Sequence, residues 1–231
     1  MKIIPVIDLK DGIVVAAQQG KRNSYQAIES TLSDSYTIEK IIDGFLSVHA
    51  FNILYIADLN AITNTGDNQK IIDSVIKQYC NIEFWIDNGK KVDQILKTAN
   101  LKYKAILGSE NQTSINQNQV NSLAGNYILS LDFFPDIGYT GPKNLLTDPT
   151  LWPENIIIMS LDHVGAHSGP DIKRLNNFSK KNTDKNFIAA GGVRNENDLL
   201  TLKEIGINHA LVASALHSGE INAKTIKSLF L

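Results

Sequence analysis

The 231-residue chain has one cysteine, Cys80. A lone cysteine excludes an internal disulfide and suits a reducing cytoplasm, the expected compartment. Cys80 ends a helix-like stretch, IIDSVIKQYC, at the entrance to a strand, and is expected to be a plain buried or semi-buried thiol. No run approaches 18 consecutive apolar residues, so no membrane span is expected. The opening MKIIPVID lacks the small-residue cleavage site of a signal peptide. Charge of either sign is not in excess: 22 basic against 24 acidic residues give a net charge of −2. That balance offers no basic footprint, so neither nucleic acid nor a membrane is an expected partner. GxGxxG is absent after the first strand, which argues against an open dinucleotide-binding sheet. No H-x-E, HExxH or CxxC spacing occurs, and no metal is expected.

Prominent instead are five apolar runs that end on aspartate: IIPVID (Asp8), ILYIAD (Asp58), EFWID (Asp87), YILSLD (Asp132) and IIIMSLD (Asp162). A short apolar run closed by turn residues reads as a strand buried on both faces, as in a parallel sheet. Further strands are expected at 104–108, 186–192 and 209–214. Helical stretches are expected near 37–49, 67–79, 91–99, 113–124, 196–205 and 222–230. The polar NQTSINQNQVN (111–121) reads as a solvated loop and helix. Residues 10–25 form a longer insert whose Val14-Val15 pair and Gly12 suggest a hairpin or a short extra strand. Eight strands alternating with helices predict an α/β fold, a single-domain (β/α)8 TIM barrel spanning residues 1–231. Carboxylates at strand C-termini would gather on its catalytic rim.

The two halves of the chain repeat. Asp58 and Asp162 are 104 residues apart, Gly108 and Ala213 105, and Gly89 and Gly192 103. Asp8 and Asp132 are 124 apart, the excess matching the insert after the first strand. Near-constant offsets indicate half-barrels related by a pseudo-twofold, a frame suited to a substrate with a similar group at each end.

Two segments have the character of a phosphate site. AAGGVR puts Gly191 and Gly192 at the end of the seventh strand, and LVASALHSG puts Ala213 and Ser214 at the start of a short helix. Phosphate sites recur after strands seven and eight of such barrels, where helix N-termini offer free N–H groups. The repeat supplies a second pair, Gly89 and Lys90 in DNGK with Gly108 and Ser109 in LGSEN. Asp8 and Asp132, opposite each other across the barrel, are the candidate acid/base pair, because two carboxyls in one cleft can hold different protonation states. The plainer reading is ion pairing with Lys10, Lys21 or Arg22. Arg22, Asp162, His163 and His167 are further candidates for catalysis or substrate contact, whereas His209 and His217 read as structural or surface residues.

At these residues the chain resembles a known family. IIPVIDLKDGIVV resembles the opening of the HisA/HisF barrels of histidine biosynthesis. LYIADLNA and LSLDF resemble their second and fifth strands, and SGPD the GPN after the sixth. IAAGGVRNENDLLTLKEIGINHALVASALHSG resembles their seventh and eighth strands. The opening favours the HisA-type isomerase over the HisF-type cyclase. The resemblance implies an Amadori rearrangement of a phosphorylated aminoaldose to its ketose without a cofactor. Asp8 would be the base at the sugar carbon and Asp132 the acid that opens the ring. Three departures stand out: IDNGKK replaces a GGGIR stretch, MSLDHVGAH lacks the family's Thr-Asp and Asp-Gly pairs, and Gly108-Ser109 replaces Gly-Thr. They point to a paralogue with an altered phosphorylated substrate; HisA-like proteins of that kind resemble ones found with tetrahydromethanopterin or methanofuran C1-carrier pathways. A non-catalytic phosphometabolite-binding protein is the remaining alternative. The assembly is expected to be a monomer or small homo-oligomer.

Overall fold

Eleven strands form one sheet that closes on itself in the computed structural model, which describes residues 1–98, 101–123, 125–166 and 168–229. They are β1 (Lys2–Lys10), β2 (Ile13–Ala16), β3 (Gln26–Ala27), β4 (Ile53–Asp58), β5 (Glu83–Asp87), β6 (Lys104–Gly108), β7 (Tyr127–Phe134), β8 (Gly138–Thr140), β9 (Asn155–Ser160), β10 (Asn186–Ala190) and β11 (His209–Val212). The order β1-β4-β5-β6-β7-β9-β10-β11 is parallel throughout and returns to β1, where Ile4 faces Leu211. This is the expected (β/α)8 barrel. Its helices include Ile38–Val48, Gln69–Gln78, Ile172–Lys181 and Glu196–Glu204.

Strand alternation builds two cores. One set of residues, including Ile4, Tyr55, Trp85, Ile106, Ile128, Ile157, Ile188 and Leu211, fills the barrel interior. The other parity, including Ile7, Ile56, Ile86, Leu129 and Ile158, packs outward against the helices. The side-chain period of two makes this division strict. Helix Ile38–Val48 shows the complementary surface, burying Ile38, Ile41, Ile42 and Phe45 at helical spacing.

The remaining strands decorate the C-terminal rim at equivalent places in the two halves. β2 folds back antiparallel on β1, pairing Val15 with Asp8. β8 folds back on β7, pairing Thr140 with Asp132. The expected hairpin in 10–25 is therefore present, and its counterpart lengthens the fifth barrel strand to Phe134.

Several expected boundaries differ. The helices expected near 91–99 and 113–124 are Val92–Leu96 and Gln117–Ser122. Asn116 accepts from the Gln119 amide at 3.1 Å, and this cap starts the second helix inside the polar run. Helix Ile172–Lys181 was not anticipated, although Ile172, Leu175 and Phe178 form a narrow apolar stripe that packs on the core within an otherwise polar run. It is set by Asp171, which accepts from the Arg174 amide at 2.8 Å, and by Lys180 and Lys181 in its last turn. Cys80 is exposed rather than buried, because the helix before it ends at Gln78.

Candidate active site

Strand parity sorts the five aspartates. Asp8, Asp87 and Asp132 share the inward parity of Ile4, Trp85 and Ile128, and all three line a cavity of about 800 Å3 at the C-terminal rim. Asp58 has the outward parity of Ile56. It caps the short helix Leu59–Ile62 through the Ala61 amide (3.2 Å) and takes both the amide and the side chain of Asn68 (2.8 and 2.7 Å), a structural task. Asp162 lies beyond the end of β9 and does not line the cavity. Arg174 holds it at 3.4 Å, from a position stacked over the Phe133 ring. The structure therefore does not bring Asp162 to Asp8 and Asp132.

The opposed pair differ in their surroundings. Asp132 is buried and thoroughly held: Oδ1 accepts from the Ser130 hydroxyl at 2.6 Å, and Oδ2 accepts from the Glu110 amide at 3.0 Å. Its own amide donates to Ser109 Oγ at 2.9 Å. Burial, aided by the charges of Glu110 and Asp87 and opposed by these hydrogen bonds, pushes its carboxyl up to about 7. The Asp8 side chain, half-buried, has no hydrogen-bond partner among the described residues. Burial raises it to about 7 as well, against the pull of Arg22. Asp87, held by the Tyr55 hydroxyl and the Gly89 amide at 3.1 Å each, is raised by burial to about 6. Carboxyls near 7 exist in both protonation states at neutral pH, as general acid/base work requires.

Gly191, Gly192, Ala213 and Ser214 line the same cavity on its β10–β11 side. Both glycines have positive φ, and a Cβ on either would collide with a backbone carbonyl, of Ser160 and Gly169 respectively. Close packing of three loops thus demands glycine there and brings bare backbone to the cavity wall. Arg22 and His163 line the cavity too. Arg22 crosses from the segment between β2 and β3 to grip Glu110 with both guanidinium nitrogens, at 3.0 and 2.5 Å. His163 is partly exposed, with Nδ1 2.5 Å from the Gly169 carbonyl. His167 lies outside the described residues.

The expected second phosphate group departs from this picture. None of Gly89, Lys90, Gly108 and Ser109 lines the cavity. Ser109 is fully buried, and its hydroxyl reaches the Thr140 carbonyl at 2.7 Å and Asp132 at 3.2 Å. Lys90 is directed to the Tyr103 hydroxyl, 3.5 Å away. Gly89 turns tightly over Ile62, its Cβ position 2.8 Å from the Ile62 Cα. In their place the cavity shows Asp87, expected on the catalytic rim but given no role, and Glu110, Tyr55 and Tyr25, which sequence reasoning did not assign to the site. The alternation within EFWID, with Trp85 and Asp87 on one parity, was the available signal for Asp87. Glu110 stood in LGSEN without any period to mark it. His217, read as structural, lines the cavity as well; it is 2.9 Å from Ser30 Oγ, and burial lowers it to about 4.

Residues 2–134 and 150–222 match the family model described as histidine biosynthesis protein. The chain belongs to this family. An uncharacterized protein of Methanocaldococcus jannaschii is 28 % identical over 234 residues, covering 100 % of this chain and 99 % of its own. A 1-(5-phosphoribosyl)-5-((5-phosphoribosylamino)methylideneamino)imidazole-4-carboxamide isomerase of Brachyspira hyodysenteriae is 27 % identical over 241 residues, with 98 % of each chain covered. An isomerase of the same name from Clostridium botulinum (strain Okra) is 25 % identical over 243 residues, covering 96 % of this chain and 94 % of its own. The chain is thus a HisA-like family member whose relatives include isomerases. Among the described residues, no helix is long and apolar enough to cross a membrane.

Proposed function

We propose that the protein is an isomerase that performs an Amadori rearrangement on a phosphorylated aminoaldose, with Asp8 and Asp132 as its acid/base pair. The observation that carries this reading is the placement of two inward carboxyls, both raised to about 7, on opposite strands of one cavity. Asp132 protonates the ring oxygen as the ring opens to the imine. Asp8, whose carboxyl has no hydrogen-bond partner among the described residues, takes the proton from the adjacent carbon. The resulting enaminol collapses to the ketone as the former imine carbon is protonated, so no oxidant or cofactor enters. The phosphate rests at the β10–β11 end, against Gly191, Gly192 and Ser214, and holds the reacting carbons between the aspartates.

The substrate in the relatives' name carries two phosphoribosyl groups. Full-length similarity to those isomerases favours it as a second reading, while the burial of Ser109 and the turning away of Lys90 favour a different phosphorylated aminoaldose. Complementation of a histidine auxotroph lacking its HisA isomerase separates the two. Growth that depends on Asp8 supports the ribotide. Failure to grow, with folded protein present, points to another aminoaldose. Turnover of candidate aminoaldose phosphates, followed by exchange of solvent deuterium at the sugar carbon, tests the chemistry itself; turnover that persists in Asp8→Asn would refute the assignment.

A further inference from the structure

The cavity has two chemically unlike ends, and the β5–β6 end is the unexpected one. Asp8, Asp87 and Asp132 surround Tyr55, and Glu110, paired with Arg22, lines the same cavity beside them. They are close enough to perturb one another. Asp87 raises both Asp8 and Asp132, Glu110 raises Asp87 and Asp132, and all but Glu110 act on Tyr55. The Arg22 guanidinium is engaged by both oxygens of Glu110. The donors that could have held an anion are spent within the protein: the Glu110 amide and Ser109 hydroxyl on Asp132, the Gly89 amide on Asp87. The Asp8 side chain, half-buried, lines the same cavity and makes no hydrogen bond among the described residues, so its oxygens are open to a ligand.

We infer that the far end of the substrate is not a second phosphate but an N–H-rich group, an amine or amidine, selected by Asp87 and Glu110. This rests on the proposed isomerase reading, with the substrate's phosphate at the β10–β11 end. A phosphate dianion beside Asp87 and Glu110 would meet like charges in a poorly hydrated cleft and would have to pull Arg22 from Glu110. A cationic or multiply donating group instead finds acceptors already in place, and charge-assisted hydrogen bonds to carboxylates are the strong kind. The hydrophobic flank from Leu59 and Ile62 adds a surface for an apolar spacer such as a planar ring. Asp87 and Glu110 are in this account specificity-determining, and the enzyme is a monophosphate isomerase.

Calorimetric titration of the full chain with short ω-aminoalkyl phosphates, the matching alkyl phosphates and the matching alkanediol bisphosphates tests the inference. The aminoalkyl phosphates are expected to bind about tenfold or more tighter than the alkyl phosphates, and the bisphosphates no tighter than the alkyl phosphates. Asp87→Asn should shrink the amine preference several-fold. Glu110→Gln should shrink it too and should improve the bisphosphates, because Arg22 is released. The preference within wild-type protein decides the matter even if a variant fails to fold. Alkyl phosphates that bind without any amine preference, or bisphosphates that bind tightest, would overturn the inference and leave the phosphate end standing. If no phosphate ester binds at all, the phosphate end of the proposed function falls, and this inference falls with it.

Discussion

The two halves of the barrel share a frame and diverge in what they hang on it. β1 carries a hairpin back to β2 and β7 one back to β8, and each aspartate pairs with its return strand, Asp8 with Val15 and Asp132 with Thr140. On that shared frame Asp132 is gripped by Ser130 and by the loop after β6, whereas Asp8 is bare among the described residues. The glycine-lined wall after β10 and β11 has its positional counterpart after β5 and β6, where the equivalent segments turn their donors inward. Backbone symmetry is enforced by sheet closure and survives. Side-chain symmetry is enforced only by a symmetric ligand, and it is gone. The difference teaches that this barrel faces a substrate with unlike ends.

The comparison can be broken hardest at Asp8. Asp8→Asn should lower turnover of an accepted substrate about 10^3-fold while leaving the fold intact, because a general acid/base group contributes about 10^2 to 10^4. Asp132→Asn should cost as much turnover but also stability, since it disturbs hydrogen bonds that Asp8 does not make. Steady-state kinetics beside thermal melts checks both; equal melting changes in the two variants would erase the contrast.

Next in size is the pH dependence of stability. Asp8 and Asp132 are each raised from 3.8 to about 7 in the folded protein, so the native state binds more protons than the unfolded chain between those values. Stability therefore falls as pH rises from about 3.8 to about 7, by up to roughly 1.4 kcal/mol per pH unit for each group, and levels off once both have ionised in the fold. His217, lowered from 6.5 to about 4, acts oppositely, but mostly below pH 6.5. The melting temperature should thus be higher at pH 6 than at pH 8, and Asp8→Asn should remove about half of that rise. A melting temperature that climbs toward pH 8 would contradict the burial assigned to both carboxyls.

A subtler effect is expected at Ser130, whose hydroxyl donates to Asp132 at 2.6 Å. Ser130→Ala should raise the Asp132 carboxyl further, by about half to one pH unit on the order of a single hydrogen bond. The matching limb of the pH–rate profile should move up with it; an unmoved profile would show that Ser130 does not tune Asp132. Smallest of all, Cys80→Ser should change neither turnover nor melting measurably, and the exposed thiol should label fully in the native protein.

Most of the barrel was legible because its strands announce themselves. ILYIAD, EFWID and KAILG stand at their expected residues, each a short run that must be buried on both faces. The helices were harder: Val92–Leu96 is short, and Ile172–Lys181 shows only the narrow stripe Ile172, Leu175 and Phe178 in a polar run, so both depend on caps and on the barrel they lean on. Of the residues expected in a site, Asp8, Asp132, Gly191, Gly192, Ala213 and Ser214 line one cavity. Asp58 and Asp162 looked alike in sequence because the terminal residue of a strand reveals its direction only through the parity of the strand before it. Of the carboxylates replacing the expected second phosphate group, Asp87 was legible as a rim aspartate and Glu110 was not. Ser109 and Glu110 look like a phosphate loop until the hydrogen bonds to Asp132 are seen.

The most direct test of unlike ends is the number of inorganic phosphate ions bound per chain, measured by equilibrium dialysis on wild type and Ser214→Glu. One phosphate in the wild type, lost in Ser214→Glu, is the predicted result. Two phosphates, or one that survives Ser214→Glu, would contradict it and restore a symmetric, bisphosphate-binding barrel.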